Sequence, residues 1–429
     1  MAKKITVELL TRVEGHGAIE IVEENGKYKA FVKIFEGPRF YEYLVVGQNY
    51  INIPRIVSRI CGICYVSHRT ASARAIEDAF GAKIPPELEL LRKLANVGAF
   101  FESHGLHIYF LALPDYFGYS SLLEMVKDYP NLVDRGFKVK NLGVEIMKVL
   151  TGKNFHGENL IPGGFANLPT KDELKKLKDQ LEEIKEDLDE TLQLVDSLKH
   201  PNLTTPREFQ LSIYNPQGWD FYSNQLILVE KDKKTLFTKK EYEIFVHEEP
   251  VEYSMAKQST VKGKPVLVGP LARVNIYKDQ FSEETKKLIS QMKTKFPSEN
   301  PFHQNVARAV ELIEARSLAL DYIDTLLSDY PSKPHIELKP KKGRGFGVVE
   351  APRGTLYHTY EFDENGYCTN SNIITPTAVL QTSMELDAQR LAESYSSLPL
   401  EEVKFLAERL IRSYDPCISC SVHMWSLSP

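Results

Sequence analysis

Residues 59–68 have the sequence RICGICYVSH and carry one cysteine pair, Cys61-x-x-Cys64. A second pair, Cys417-x-x-Cys420, lies near the other end of the chain in DPCISCSVH, residues 415–423. Each Cys-x-x-Cys turn places two sulfurs on one side of the backbone, and four thiolates from two such turns can enclose a soft or borderline metal ion. The two motifs therefore predict one metal site, built by a fold that brings both ends of the chain together. The fifth cysteine, Cys368, has no partner motif.

Three chemistries compete for these cysteine pairs. A structural zinc site usually closes within roughly a few tens of residues, whereas here all of 65–416 separates the two pairs. A thioredoxin-like dithiol needs a short βαβ setting, which the sequence around Cys61 lacks. A catalytic metal centre is favoured over both because polar residues flank the two pairs. These flanking residues are Arg59, Ser67, His68, Arg69, Asp415 and His423.

Composition excludes some classes of protein. With 429 residues, 42% of them hydrophobic, the chain can bury a large core. The net charge of −5, from 53 Lys+Arg and 58 Asp+Glu, gives no electrostatic basis for binding nucleic acid. The sequence shows no secretory signal and no apolar run of about 18 residues, and its cysteines do not form a distributed disulfide framework. A cytoplasmic, reducing location is therefore expected. The abundance of Lys and Glu is a minor indication of a thermophilic source.

Hydrophobic patterning predicts an α+β, mainly helical fold, with a central bundle of long helices, a small N-terminal β-sheet and further β excursions. The Asn-Gly step at 25–26 predicts a hairpin turn between two alternating strands. After the two prolines at 85–86 a helix begins that becomes nearly apolar. A capping box opens a leucine-stepped helix predicted over 170–199, and another helix is predicted over about 303–328.

These elements are expected to form one domain over 1–423, followed by a short extension, 424–429. Its predicted regions in chain order are an N-terminal β region at about 1–45, a helical body at about 46–200, β excursions at about 206–275 and a C-terminal helical region at about 280–423.

The combination of RxCGxC near the N-terminus with DPCxxCxxH near the C-terminus resembles the large, catalytic subunit of nickel-iron hydrogenases. Further segments follow in the order found in that family. They are RVEGHG (12–17), EGPRFYE (36–42), ESHGLHIYFLALPDY (102–116), FHGENLIPGG (155–164), EAPRG (350–354) and IITPT (373–377). The resemblance covers essentially the whole chain and implies the nickel-iron hydrogenase large-subunit fold.

The resemblance implies that Cys61, Cys64, Cys417 and Cys420 bind nickel. Cys64 and Cys420 would also bridge to an iron that carries carbonyl and cyanide ligands, while Cys61 and Cys417 would be terminal on nickel. Thiolates are soft donors, which suits such a pair of metals.

Three further residues take roles from the resemblance. Glu14 matches a carboxylate that relays a proton from a terminal cysteine thiolate, which makes Cys417 catalytic as well. Arg353 matches a guanidinium above the open metal site, where it can also donate hydrogen bonds to cyanide, and Thr377 matches a hydroxyl donor to the second cyanide. Without the resemblance, Glu14 would be interpreted as a solvated strand residue, Arg353 as a loop arginine and Thr377 as a helix N-cap.

The resemblance also implies a hard-cation site, usually magnesium, formed by Glu42, the backbone carbonyl of Ile373 and the imidazole of His423. In the family a nickel-dependent endopeptidase cuts directly after the histidine of DPCxxCxxH. The bond expected to be cut here is His423–Met424, so that 424–429 is removed and the 429-residue chain is a precursor.

The remaining histidines near the motifs, His68, His104 and His107, are expected to be hydrogen-bonded structural residues rather than ligands. One position departs from the family pattern. Ser103 stands where many uptake-type members carry an aspartate, which puts in doubt that polar neighbour of the site but not the metal ligands.

The implied function is reversible, heterolytic cleavage of dihydrogen to two protons and two electrons. The motifs look most like the cytoplasmic, NAD(P)-linked sulfhydrogenase type, whose complexes also reduce sulfur or polysulfide. Coenzyme F420-linked and heterodisulfide-reductase-linked relatives are alternatives, and a non-catalytic subunit of the complex I type is a remote one. The sequence has no GxGxxG loop and no cysteines for clusters. Iron-sulfur clusters, flavin and NAD(P) are therefore expected only on partners, namely a small iron-sulfur subunit and diaphorase-type subunits. A maturation endopeptidase and nickel-loading chaperones are expected as further partners.

Overall fold

A computed structural model describes residues 3–231 and 233–422 of the chain. It begins with an antiparallel sheet of three strands in the order β1-β2-β3, namely β1 (Lys3–Val7), β2 (Gly17–Glu24) and β3 (Lys27–Ile34). Asn25 and Gly26 join β2 to β3, and both have left-handed backbones, with φ of 54° and 74°. The predicted hairpin is thereby confirmed, since a two-residue turn of this kind needs a positive φ at both positions.

A helical body follows, as predicted. Its helices are α1 (Tyr41–Val45), α2 (Ile53–Val57), α3 (Tyr65–Phe80), α4 (Pro86–Leu106), α5 (Leu113–Phe117), α6 (Leu122–Asp128), α7 (Pro130–Thr151), α8 (Lys171–Glu183) and α9 (Lys185–Ser197). A π-helical segment, His107–Ala112, continues α4. Helices α4 and α7 pack closely because glycines face each other where they cross. A Cβ on Gly143 would lie 2.5 Å from the carbonyl oxygen of Gly98.

The helix predicted over 170–199 is two helices rather than one. Thr170 caps α8 in a capping box with Glu173, as expected. At Ile184 the helix is interrupted although the backbone stays right-handed, with φ of −72° and ψ of −7°, and the Ile184 N–H bonds to the carbonyls of both Gln180 and Glu182. Leucines on both sides of this break are buried in the same core cluster, so the break lets the two halves follow the core.

Strands over 209–267 lie within the region predicted for β excursions, whereas those over 160–165 lie within the region predicted to be helical. Two short strands, β4 (Leu160–Ile161) and β5 (Gly164–Phe165), precede a sheet in the order β11-β6-β7-β8 and a separate β10-β9 hairpin. Their strands are β6 (Phe209–Tyr214), β7 (Gln225–Glu230), β8 (Lys233–Thr238), β9 (His247–Val251), β10 (Ser254–Thr260) and β11 (Val266–Leu267). The helices of this part are α10 (Tyr242–Phe245), α11 (Pro270–Tyr277) and α12 (Glu283–Gln291).

The C-terminal region is not wholly helical, and this part of the prediction is wrong. Its helices are α13 (Gln304–Ser328), α14 (Pro376–Ser394), α15 (Leu400–Tyr414) and α16 (Ile418–Ser421). Between α13 and α14 lies an antiparallel sheet of β12 (Gly343–Ala351), β13 (Gly354–Phe362) and β14 (Cys368–Ile374). Segments 343–351 and 354–362 contain many aromatic and β-branched residues, which favours paired strands over helix.

Helix α3, which begins directly after Cys64, lies on this sheet. A Cβ on Gly347 of β12 would come within 2.0 Å of the carbonyl oxygen of Ala71 in α3, so only glycine permits the contact. The four motif cysteines share one buried hydrophobic cluster with Val45, Ile53, Val57, Ile60, Ile373 and others. No helix among the described residues is long and apolar enough to cross a bilayer. The end of the single domain at residue 423 and the extension 424–429 lie outside the described residues and stay predictions.

Candidate metal centre

The structure brings together the two cysteine pairs, as the motifs predict. All four residues are buried, and their Sγ atoms lie within 4.8 Å of one another. Sγ of Cys417 lies 3.3 Å from that of Cys61, and Sγ of Cys64 lies 3.4 Å from that of Cys420. Sulfurs at these separations, aimed at a common centre, suit one soft metal ion or a pair of metals joined through sulfur.

Each pair is shaped by local backbone contacts. Sγ of Cys61 accepts hydrogen bonds from the backbone N–H groups of Ile63 and Cys64, at 3.3 and 3.4 Å, which curls the chain around this sulfur. At the other end Asp415 terminates α15 in the left-handed conformation, with φ of 55°, and turns the chain towards Cys417. Both turns are therefore shaped by contacts within the protein.

The four thiols affect one another's protonation. Burial raises the pKa of Cys417 and of Cys420, whereas hydrogen bonds from neighbouring thiols, that of Cys417 foremost, lower the pKa of Cys61. The site by itself therefore keeps protons on some of its sulfurs. A cation bound among them would favour four thiolates and release those protons, so the donor set fits a thiolate-bound metal.

Glu14 lies against the second cysteine pair. Its backbone forms a parallel bridge with Cys417, and its carbonyl accepts the Ile418 N–H at 2.9 Å. Its Oε2 accepts the Ser419 N–H at 3.0 Å and lies 3.2 Å from Sγ of Cys417. Gly15 permits this approach, because its φ is 87° and a Cβ there would lie 2.7 Å from Cβ of Ile418. The interpretation of Glu14 as a solvated strand residue is wrong.

Arg353 is buried above the sulfurs and held by Asp415. Its Nε donates to the Asp415 carbonyl at 2.6 Å, and its Nη2 donates to the Asp415 carboxylate at 3.0 Å. Its Nη1 is buried with no hydrogen-bond partner among residues 3–231 and 233–422. A small cavity adjoins it, lined by Cys64, His68, Ala351, Arg353, Leu356, Pro376, Thr377, Cys417 and Cys420. The cavity lies against both sulfurs expected to bridge to iron.

Thr377 is the second polar group at this cavity. It is not the N-cap residue, because Thr375 occupies the N-cap position of α14, although the Thr375 side chain makes no capping hydrogen bond. Instead its hydroxyl oxygen accepts the backbone N–H of Cys417 at 3.0 Å, which leaves the hydroxyl hydrogen available for another acceptor.

The predicted hard-cation site is described only in part. Glu42 is buried in α1, where the Ser371 hydroxyl donates to its backbone carbonyl at 2.6 Å. Ile373 is buried in β14 and pairs with His358. His423 and Met424, and with them the predicted third ligand and cleavage site, lie outside the described residues.

The prediction for the histidines is confirmed, with one addition. Nε2 of His104 lies 2.9 Å from the Glu311 carboxylate, and Nε2 of His107 lies 2.7 Å from the Arg412 carbonyl. Burial lowers the pKa of His104 to about 4. His68 is also in a hydrogen-bonded pair, but its Nε2 lies 3.7 Å from Sγ of Cys420, a contact the sequence did not indicate.

Several groups at the site were missed. Nδ1 of His68 lies 3.1 Å from Nε2 of His358, whose surrounding sequence carries no motif. Glu102 is buried beside Ser103, and burial raises its pKa to about 7. Arg39, in EGPRFYE, donates to the carbonyls of Ile60 and Ser419. For Arg39, the one signal in the sequence was its position in the segment EGPRFYE.

The chain is similar to known proteins over its full length. The family profile described as nickel-dependent hydrogenase matches residues 39–135 and 210–423. The alpha subunit of sulfhydrogenase 2 from Pyrococcus furiosus is 38% identical over 99% of this chain and 100% of that protein. A vhu F420-non-reducing hydrogenase subunit from Methanocaldococcus jannaschii is 32% identical over 91% of this chain and 99% of that protein. The crystal structure of an NAD+-reducing NiFe hydrogenase in the H2-reduced state superposes with a TM-score of 0.88 at 25% identity, covering 98% of this chain and 99% of that one.

We expect Cys61→Ser, and the same change at any of the other three clustered cysteines, to lower the metal bound by the purified chain to a small fraction of the wild-type amount, because one soft donor is lost. Cys368→Ser is the matched control, since Cys368 is buried on β14 and its thiol donates to the Asn370 carbonyl. Elemental analysis of both variants checks this. An equal loss in Cys368→Ser would contradict the ligand set.

Proposed function

This chain belongs to the nickel-dependent hydrogenase family, and we propose that it is the large subunit of a nickel-iron hydrogenase that cleaves dihydrogen reversibly to two protons and two electrons. The observation that carries the proposal is the cluster of four buried cysteine sulfurs within 4.8 Å. A non-catalytic subunit of the complex I type would not need four clustered cysteines. A structural zinc site would not need Arg353 and Glu14 beside the sulfurs.

In this proposal Cys61, Cys64, Cys417 and Cys420 hold nickel, and Cys64 and Cys420 also hold an iron with carbonyl and cyanide ligands. When bound, the two metals would supply the site at which dihydrogen is polarised and from which its electrons are taken. The cavity beside Cys64 and Cys420 supports this location for the iron and its ligands, because its lining is mostly small or apolar. Its polar residues are His68, Arg353 and Thr377.

Glu14 is proposed to receive the proton. Its Oε2 lies 3.2 Å from Sγ of Cys417, which is within reach for transfer from sulfur to carboxylate oxygen. The Ser419 N–H orients this oxygen at 3.0 Å, so the carboxylate is held in place while it gains and loses the proton.

Arg353 and Thr377 are proposed to act on ligands in the cavity. Arg353 carries a fixed positive charge and keeps the buried Nη1 donor for a cyanide or for polarising dihydrogen. The Thr377 hydroxyl, whose oxygen accepts the Cys417 N–H, would donate its hydrogen to the second cyanide. Asp415 keeps the guanidinium in this orientation through two hydrogen bonds.

Two further parts of the proposal concern the C-terminal end. Glu42, the Ile373 carbonyl and His423 would hold magnesium or a similar hard cation. A maturation endopeptidase would cut His423–Met424 and remove 424–429, after nickel-loading chaperones have acted. Cys417 and Cys420 are close enough to His423 in sequence that removal of this extension would complete the closure of the site.

The proposed electron acceptor is NAD(P), reached in the cytoplasm through a small iron-sulfur subunit, with diaphorase-type subunits beyond it. The names of relatives support this: one similar structure is an NAD+-reducing hydrogenase, and a relative 38% identical is a sulfhydrogenase subunit, which suggests sulfur reduction by the complex. A relative that is 32% identical is named F420-non-reducing, so these names give no support to the F420-linked alternative, and the heterodisulfide-reductase-linked type remains the alternative to NAD(P).

We propose that the small iron-sulfur subunit docks on the exposed apolar patch of Tyr43, Leu44 and Ile51. These side chains are 65%, 49% and 63% exposed. Val45 and Ile53, which lie close to these residues in the chain, belong to the same buried cluster as the four cysteines. The patch is thus next in sequence to residues that pack in the cluster around the sulfurs, which supports it as the side on which a partner would take up electrons.

The test of the function is metal and infrared analysis of the purified enzyme, together with dihydrogen-dependent reduction of an artificial electron acceptor. We expect nickel and iron near one each per chain and infrared bands of carbonyl and cyanide. Stoichiometric zinc without these bands would refute the proposal.

Glu14→Gln keeps the size of the side chain but removes its ability to accept a proton. Dihydrogen oxidation and proton-deuterium exchange should fall by a factor of about 10²–10⁴, while the infrared bands stay normal. Glu36→Gln is the control, because Glu36 approaches the Ser419 hydroxyl at 3.4 Å rather than a thiol. Wild-type exchange in Glu14→Gln would exclude this relay.

Leu44→Glu combined with Ile51→Glu should weaken binding of the small subunit by about 2–5 kcal/mol, because two carboxylates would be buried without partners. Co-purification from cells that express the whole complex measures the effect. The control is Leu123→Glu, in α6, where the side chain is 77% exposed and lies outside the patch. Retention of the small subunit by the double variant would place its docking surface elsewhere.

A further inference from the structure

Arg39 bridges the two cysteine pairs although it belongs to neither motif. Its Nη2 donates to the carbonyl of Ile60, at 2.5 Å, and also to the carbonyl of Ser419. Its backbone N–H donates to the carbonyl of Val422 at 2.9 Å. Ile60 directly precedes Cys61, and Ser419 directly precedes Cys420. One side chain therefore joins the backbone beside a sulfur of each pair.

The carbonyls that Arg39 binds are ones that short helices cannot satisfy themselves. Ile60 ends a 3-10 helix, Ser58–Ile60, while Ser419 lies in the four-residue helix α16 and Val422 caps it. The last carbonyls of any helix lack partners within it, and a guanidinium is favoured at that negative end. Arg39 thus stabilises two helix ends at once and fixes the distance between them.

The backbone around Arg39 is built to hold this position. Phe40 has a left-handed conformation, with φ of 54° and ψ of 38°, which is a costly one for a bulky side chain. Tyr41 donates its hydroxyl hydrogen to the Arg59 carbonyl at 2.8 Å, and its ring lies under the guanidinium of Arg39 at 5.2 Å. Residues 39–41 therefore bind the two carbonyls that lead into Cys61.

We propose that Arg39 is a positioning residue that holds the two cysteine turns at metal-binding distance and so determines how tightly four thiolates can bind one metal. Arg39 touches no sulfur in the structure and acts only through the backbone on which Cys61 and Cys420 are placed. The inference rests on the proposed function only in taking the four cysteines as metal ligands.

The test uses the full 429-residue chain, purified without metal under reducing conditions and titrated with Co2+ alone. Four-thiolate cobalt has a characteristic sulfur-to-metal charge-transfer absorption, which reports both affinity and the number of thiolates bound. In Arg39→Met we expect Co2+ binding to weaken about 10- to 100-fold, the range seen for residues that orient metal ligands, with absorption typical of fewer thiolates. Arg39→Lys, which keeps a cationic donor, should recover part of the affinity. Arg55→Met is the control, since Arg55 is exposed and pairs with Glu158 at 3.6 Å.

The outcomes separate the two proposals. If the wild-type chain shows no four-thiolate cobalt spectrum and the purified enzyme contains no nickel, the metal centre itself is refuted and Arg39 loses its role with it. If the wild-type chain shows that spectrum and Arg39→Met matches it in affinity and intensity, only the role of Arg39 is overturned. Circular dichroism checks that each variant is folded. Should Arg39→Met not fold, Arg39→Gln, which keeps one N–H group, decides the question: wild-type affinity in folded Arg39→Gln would also overturn the role.

Discussion

The burial of four cysteine sulfurs within 4.8 Å of one another is the constraint on which the rest of the structure depends. The sulfurs come from two turns at opposite ends of the chain, so nearly the whole fold must form before they meet. Ionised thiolates are poorly stable when buried without a cation. A protein that keeps such a cluster must therefore hold the backbone rigidly. The negative charge of the thiolates is then balanced by a bound metal cation.

Buried cations hold that backbone by binding carbonyls rather than sulfurs. Arg353 binds the carbonyl of Asp415, and Arg308, on α13, binds the carbonyl of Ser413 at 2.6 Å. His107 lies 2.7 Å from the carbonyl of Arg412. These carbonyls belong to the end of α15, just before the second cysteine turn, where positive groups and donors are favoured. Burying the guanidinium groups of Arg353 and Arg308 costs free energy, and their hydrogen bonds hold the turn before Cys417 in a single orientation.

Backbone strain is concentrated in the same segments. Arg12, Phe40, His156 and Asp415 have positive φ although none is glycine, and all four lie in segments that approach the cysteines. Such conformations cost free energy and persist only where surrounding contacts hold them. Those contacts are visible at two of the positions. Arg39, the neighbour of Phe40, binds the Ile60 carbonyl, and Arg353 binds the carbonyl of Asp415. The strain is thus the consequence of directing side chains to one small volume.

Features that depend on neighbours along the chain could be predicted from the residues alone. The paired cysteines predicted one site, the Asn-Gly step predicted the hairpin at 25–26, and Thr170 predicted the start of α8, because turns and caps are set within a few residues. Features that depend on distant partners followed only from the folded chain. The break at Ile184 and the contact of His68 with Cys420 arise from packing between elements far apart in sequence, for which no local pattern exists. The strands within 343–374 do carry local β propensity, but their packing against α3 is a contact between distant segments.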